Sequence, residues 1–194
     1  MLSYDESLKI LKETKALLEG HFILSSGLHS KHYVQCAKLL SYPKKAESIC
    51  SSLCEKIKKN YNEIDIVLSP AIGGIVVGYE VGRQLGVETI FAERTDGKLS
   101  LRRGFKISMN SKVLIVEDVI TTGKSALECA EIIRISKSKL VGYACIIDRS
   151  NIDVLIKDKI VSQINLKIET FKENELPDEL KKIQSIKPGS RNLP

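Results

Sequence analysis

Apolar positions recur at two different periods along this chain, and the change of period divides it. Ser3 and Glu6 have the spacing of a capping box, which predicts a helix opening there and running to about Glu19. A polar, glycine-containing stretch follows over residues 20–38 and holds all three histidines, His21, His29 and His32. Pro43 suits a first helical turn. Ala46, Ile49, Cys50, Leu53 and Ile57 then repeat at helical spacing, predicting a second helix. Beyond it the texture changes. Residues 64–69 form a short apolar run ended by Pro70 and the pair Gly73-Gly74, and residues 75–85 read as a helix closed by Gly86. Residues 89–92 are strand-like, 95–104 are polar and glycine-punctuated and predict a loop or hairpin, and 112–116 are a strong strand. A helix from Ser125 to about Ser136 and a strand over 140–147 complete the series. Continuous apolar strands alternating with helices imply an α/β fold with a mostly parallel sheet covered on both faces. The first forty or so residues lie outside the alternation and are expected to fold over one end of the sheet. The last thirty are weakly patterned.

Length and composition narrow the picture. At 194 residues the chain fits one domain, long enough to bury a core without staples. No apolar run approaches the roughly eighteen residues of a membrane span, and the opening residues do not pattern as a secretory signal. Five scattered cysteines without CxxC spacing argue for free thiols in a reducing, cytoplasmic setting and against a zinc site. A net charge of +6 admits polyanionic partners. The lysines are dispersed, with no interleaved aromatic residues, so a small phosphorylated substrate is expected and nucleic acid is not.

The chemistry concentrates in residues 113–125, VLIVEDVITTGKS. Four apolar residues make a buried strand, and Glu117 and Asp118 fall near its carboxyl end, where open α/β sheets place their ligands. Next come Val119 and Ile120, then Thr121, Thr122, Gly123, Lys124 and Ser125 entering a helix. That loop offers backbone N–H groups, hydroxyls and an ammonium at a helix N-terminus, a setting for phosphate. It lacks the GxxxxGK[ST] spacing of a Walker A loop. Carboxylates just before it would repel phosphate but accept hydrogen bonds from sugar hydroxyls, so ribose 5-phosphate fits both halves. The bland alternative is a strand with solvated acids and a capped helix.

This stretch resembles the motif by which type I phosphoribosyltransferases bind phosphoribosyl pyrophosphate (PRPP). Residues 22–33, FILSSGLHSKHY, resemble the N-terminal signature of orotate phosphoribosyltransferases, and FAER at 91–94, LRRGF at 101–105 and KPGSR at 187–191 resemble their shorter bacterial and archaeal branch. The resemblance implies a type I phosphoribosyltransferase fold as a single domain: an N-terminal hood over about residues 1–40, a core over about 41–170 and a tail over 171–194. It implies an enzyme joining orotate to PRPP with Mg²⁺, in pyrimidine biosynthesis, the metal held by PRPP and reached by Glu117 and Asp118 only through water. By the same resemblance Glu117 and Asp118 hold the ribose hydroxyls, residues 121–125 hold the 5′-phosphate, and Ala71, Ile72, Gly73 and Gly74 form the pyrophosphate loop. Orotate is expected to meet Thr121, Arg149 and the hood residues Ser26 and Gly27. Arg94, Lys98, Arg102 and Arg103 are the candidate catalytic cations, on a loop over 94–104 that in the family reaches the neighbouring site of a homodimer. Two departures stand out: many relatives carry a lysine where this chain has Ser25, and the loop has no histidine. Plainer alternatives are a surface Arg149 paired with Asp148, a solvated hairpin at 94–104, and ordinary polar histidines in the hood. A phosphoribosyltransferase for another base, or a PRPP-sensing regulator, are the competing functions.

Overall fold

The computed structural model describes residues 1–24, 26–150 and 154–188. Ser25 and most of the 187–191 segment lie outside the described residues.

Two sheets carry the chain. The larger has six strands in the order β5-β4-β3-β6-β7-β8, made of β3 (Ile66–Pro70), β4 (Glu88–Thr95), β5 (Lys98–Leu101), β6 (Lys112–Ile120), β7 (Lys139–Asp148) and β8 (Ile160–Asn165). All neighbours are parallel except β4 and β5, which form an antiparallel hairpin. The expected α/β architecture with a mostly parallel sheet is therefore present. Because side chains alternate across a strand, β6 feeds two cores. Leu114 and Val116 pack with Ile49, Leu53, Val77 and Val81 of helices α3 (Pro43–Asn60) and α4 (Gly73–Leu85). Val113 and Ile115 pack with Ala126, Cys129 and Ile133 of helix α5 (Lys124–Ile135) on the other face.

Order in the sheet fixes the crevice. From β3 the chain crosses through α4 to β4 on one side, and the later strand β6 pairs with β3 on the other. Ligands in open α/β sheets sit at such a switch point, beyond the strands' carboxyl ends. The turns that leave β3 and β6 are residues 71–74 and 121–123.

The smaller sheet is the hood: β1 (Leu17–Ile23), β2 (His29–Val34) and β9 (Thr170–Phe171) in the order β1-β2-β9. Two expectations are corrected here. Helix α1 spans Tyr4–Glu13 and stops short of Glu19. Thr14 caps it with its hydroxyl on the Ile10 carbonyl, Lys15 takes a positive φ, and Leu17 enters the strand pairing with Val34. The polar stretch 20–38 is mostly ordered as β1, β2 and the short helix α2 (Cys36–Leu40). The hood also draws β9 from late in the chain, so it is not purely N-terminal. Elsewhere Pro43, the capping box at Ser3 and Glu6, and left-handed Gly86 behave as the sequence predicts. All five cysteines are buried, free thiols.

Candidate active site

Strand β6 runs through the acidic pair to Ile120, beyond the predicted end at 116. Glu117 and Val119 lie opposite Cys145 and Ile147 of β7, and Ile120 lies opposite Asp148. Val119 and Ile120 are thus strand residues, and the loop proper begins at Thr121. The period of two sends the adjacent acids to opposite faces. Asp118 faces the turn after β3: a Cβ built on Gly73 would sit 2.9 Å from each Asp118 carboxylate oxygen. The glycine thus lets the backbone of that turn approach the carboxylate closely, which brings the two candidate loops together. Glu117 faces the start of α5. Burial, and then the charge of Asp118, push its carboxyl up to about 8, partly offset by the backbone N–H of Ala126. Asp118 is also raised by burial. Burial first, and then the charge of the neighbouring acid, disfavour a second ionisation, so the free site holds less than its full negative charge near neutrality.

The loop after β6 is open to an anion. Thr121 and Thr122 are exposed, Gly123 takes φ 79°, and Gly123 as N-cap makes no side-chain capping bond. Of the first-turn N–H groups of α5, that of Lys124 reaches the Thr122 hydroxyl at 3.4 Å and that of Ala126 meets the Glu117 carboxyl, with the helix dipole behind them. Thr122 is braced from below, its carbonyl accepting from Leu155 N–H at 2.9 Å, and a Cβ on Gly123 would strike Ile156 at 2.7 Å. Helix α4 starts without a side-chain cap, at Ile72, and the Ala71–Ile72 peptide bond is cis. Two helix N-termini, after β3 and after β6, thus flank one crevice.

Arg149 leaves β7 beside this loop, its N–H donating to the Ile120 carbonyl at 2.8 Å. It is not a surface arginine paired with Asp148: that carboxylate accepts from Ser150 N–H and the Asn165 amide. The Arg149 Nε is buried with no hydrogen-bond partner among the described residues, and burial lowers the guanidinium pKa. An orphaned buried donor calls for an acceptor. Tyr33 of the hood lies within electrostatic reach of it, and the Cys36 thiol just beyond β2 is 3.8 Å from the Asp118 carbonyl. Neither residue was singled out from sequence, although Tyr33 closes the hood segment. Ser26 and Gly27 occupy the exposed tip of the β1–β2 hairpin.

The four loop cations divide into two pairs. Arg94 forks onto Glu128 of α5 at 2.9 and 3.2 Å, and Arg103 onto Glu93 at 2.7 and 3.1 Å. Lys98 and Arg102 are exposed, and among the described residues neither forms an ion pair. Residues 95–98 are the turn of the β4–β5 hairpin, with Gly97 at φ 81°.

A family model for the phosphoribosyl transferase domain matches residues 42–178. A protein of Caldicellulosiruptor bescii named orotate phosphoribosyltransferase is 48% identical over 190 residues, covering 98% of this chain and 99% of that one. This chain belongs to the orotate phosphoribosyltransferase family. A second relative of that name, from Caldicellulosiruptor saccharolyticus, is 48% identical over 186 residues, 96% of each chain. Among solved structures, orotate phosphoribosyltransferase from Aeropyrum pernix has the same fold, with a TM-score of 0.71 at 23% identity over 82% of this chain and 93% of that one. Adenine phosphoribosyltransferase from Thermoanaerobacter pseudethanolicus gives 0.60 at 15% identity over 70% and 88%. The orotate phosphoribosyltransferase family thus accounts for the hood as well as the core, since the relatives match along nearly the full length.

Proposed function

We propose that this protein transfers ribose 5-phosphate from PRPP to orotate, forming orotidine 5′-phosphate and pyrophosphate for pyrimidine synthesis. The observation that carries the proposal is the junction of Asp118 with Gly73, which puts a sugar-binding carboxylate between the N-termini of α4 and α5. Asp118 and Glu117 accept hydrogen bonds from the ribose hydroxyls, and residues 121–125 enclose the 5′-phosphate. Residues 71–74 take the pyrophosphate. The bond from C1 to the pyrophosphate oxygen breaks with its electron pair leaving on pyrophosphate, and the orotate ring nitrogen bonds to C1 after losing its proton to solvent. Holding nitrogen and C1 in line, and meeting the leaving charge with cations, lowers the barrier. Arg149, with its unpartnered Nε, binds the orotate carboxylate in the bidentate manner arginine favours, beside Thr121 and under the hood at Ser26 and Gly27. A purine offers no such carboxylate.

Mg²⁺ fits this donor set. Two hard carboxylate oxygen donors lie where the ribose and pyrophosphate would meet, and a cation that keeps its waters needs few protein ligands. When bound with PRPP it would neutralise the diphosphate, with Glu117 and Asp118 reaching it through water. We further propose a homodimer in which hairpin 94–104 contributes Lys98 and Arg102 to the neighbouring site. The exposed row Ile72, Val76 and Tyr79 along α4 supports an apolar contact with a second copy. Five free thiols support a cytoplasmic location.

The test is release of pyrophosphate from PRPP with and without orotate and Mg²⁺, with adenine as rival base. Release should require orotate and Mg²⁺, and release with adenine alone contradicts the proposal. Arg149→Ala should raise KM for orotate about 100-fold, as expected for a charged bidentate contact of 1.5–3 kcal/mol. An equal effect on both substrates would remove Arg149 from the base site.

A further inference from the structure

The hood is fastened from a direction that base binding alone does not require. His21 and His29 are buried at 5% and 7% exposure. His21 Nδ1 lies 2.9 Å from the Ile183 carbonyl, which only accepts, so this nitrogen carries a proton and donates. Its Nε2 lies 2.7 Å from His29 Nδ1, close enough for one proton between the rings. The same late segment pairs with β1 through its backbone: Ile186 N–H donates to the His21 carbonyl at 2.8 Å, and Ile23 N–H donates to the Ile186 carbonyl at 2.9 Å. Residues 183–186 therefore form a strap across β1, and the imidazole pair carries the strap's position on to β2. From His29, β2 runs to Tyr33 and enters α2 at Cys36, whose thiol meets the Asp118 carbonyl.

Apolar side chains would fill this space without burying four ring nitrogens, which cost free energy unless each is paired in the right direction. Two imidazoles in series set a distance and an angle, which an apolar pair does not. We propose that His21 and His29 are positioning residues for the base, holding β2 over Arg149 at a height set by the strap at residues 183–186. The inference rests on the orotate transfer proposed above and deepens it: the late segment becomes part of the base site, although it contributes no group to the reaction.

Two measurements test it. The first is steady-state kinetics of wild type, His29→Leu, His29→Asn and Ile186→Pro with both substrates varied. His29→Leu should raise KM for orotate about tenfold, the order of one buried hydrogen bond. Its kcat and its KM for PRPP should stay within about twofold, because the groups at C1 are untouched. His29→Asn, whose amide reaches the place of Nδ1, should recover most of the loss. Ile186→Pro removes the strap's N–H at an exposed residue, and should shift the orotate KM the same way even if the leucine variant fails to fold. The second is amide hydrogen exchange over β2, which Ile186→Pro should accelerate and which needs no turnover. Absence of orotate turnover in the wild type would sink the proposed reaction alone. Unchanged exchange over β2 in Ile186→Pro, or equal orotate KM in the asparagine and leucine variants, overturns the role of the strap and its histidines.

Discussion

At Glu117 two demands oppose each other. The proposed ribose site needs an acceptor at the start of α5, and the strand that supplies it is buried on both faces, so ionising that acceptor is costly. The folded protein holds the carboxyl proton up to about 8, whereas the ordinary value is 4.5. The native state then binds this proton more tightly than the unfolded chain, and stability is full below the ordinary value and falls as pH rises through that window. Glu117→Gln should match the wild type in Tm near pH 4 and exceed it near pH 9 by about 4 °C, the size of a 1–2 kcal/mol change in a chain of this length. The same variant should lose PRPP affinity at both pH values. Thermal scans across pH check the first outcome, and a flat difference in Tm would mean that Glu117 is not carrying a buried charge at high pH. The sequence placed both acids near the carboxyl end of a buried strand, as the structure does, because a four-residue apolar run ending in two carboxylates has few structural alternatives. It did not show that they face opposite ways, which follows from β6 continuing as a strand to Ile120.

Among elements, the β4–β5 hairpin is tied to α5 through Arg94 and Glu128, while Lys98 and Arg102 project without ion pairs among the described residues. Arg94→Ala should therefore cost about 1 kcal/mol of stability, since the pair is partly exposed. Arg102→Ala should leave stability unchanged and lower kcat about 100-fold, if it meets the leaving pyrophosphate. Denaturant unfolding paired with initial rates separates the two, and a stable, fully active Arg102→Ala protein would remove that arginine from the reaction. Strands β3, β6 and β7 were legible because parallel strands buried on both faces read as continuous apolar runs. The hood strands were not. Half-exposed, they carry three histidines, Ser30 and Lys31 between apolar positions, and their partners include a two-residue strand and a strap more than 130 residues away in sequence. The His21–His29 contact becomes visible only once Gly27, at φ 82°, is seen as the turn that folds one strand onto the other.

For the whole molecule, a positive net charge of +6 and two helix N-termini beside one crevice fit a substrate with several phosphates. The exposed row on α4 begins at Ile72 in the proposed pyrophosphate loop, so an interface there would couple assembly to the site. Sedimentation should give twice the 21.6 kDa chain mass, and Tyr79→Lys should shift it toward one chain with loss of turnover. A fully active monomer would show that each site is complete in its own chain. Asp118, set against Gly73, is the proposed grip on the ribose of PRPP. Its most direct measurement is kcat/KM for PRPP in orotidine 5′-phosphate formation, wild type against Asp118→Asn. A fall of about 100-fold or more, with Tm unchanged or raised, is the expected result for losing charged hydrogen bonds to the sugar. An Asp118→Asn protein that forms orotidine 5′-phosphate at the wild-type rate would contradict the account.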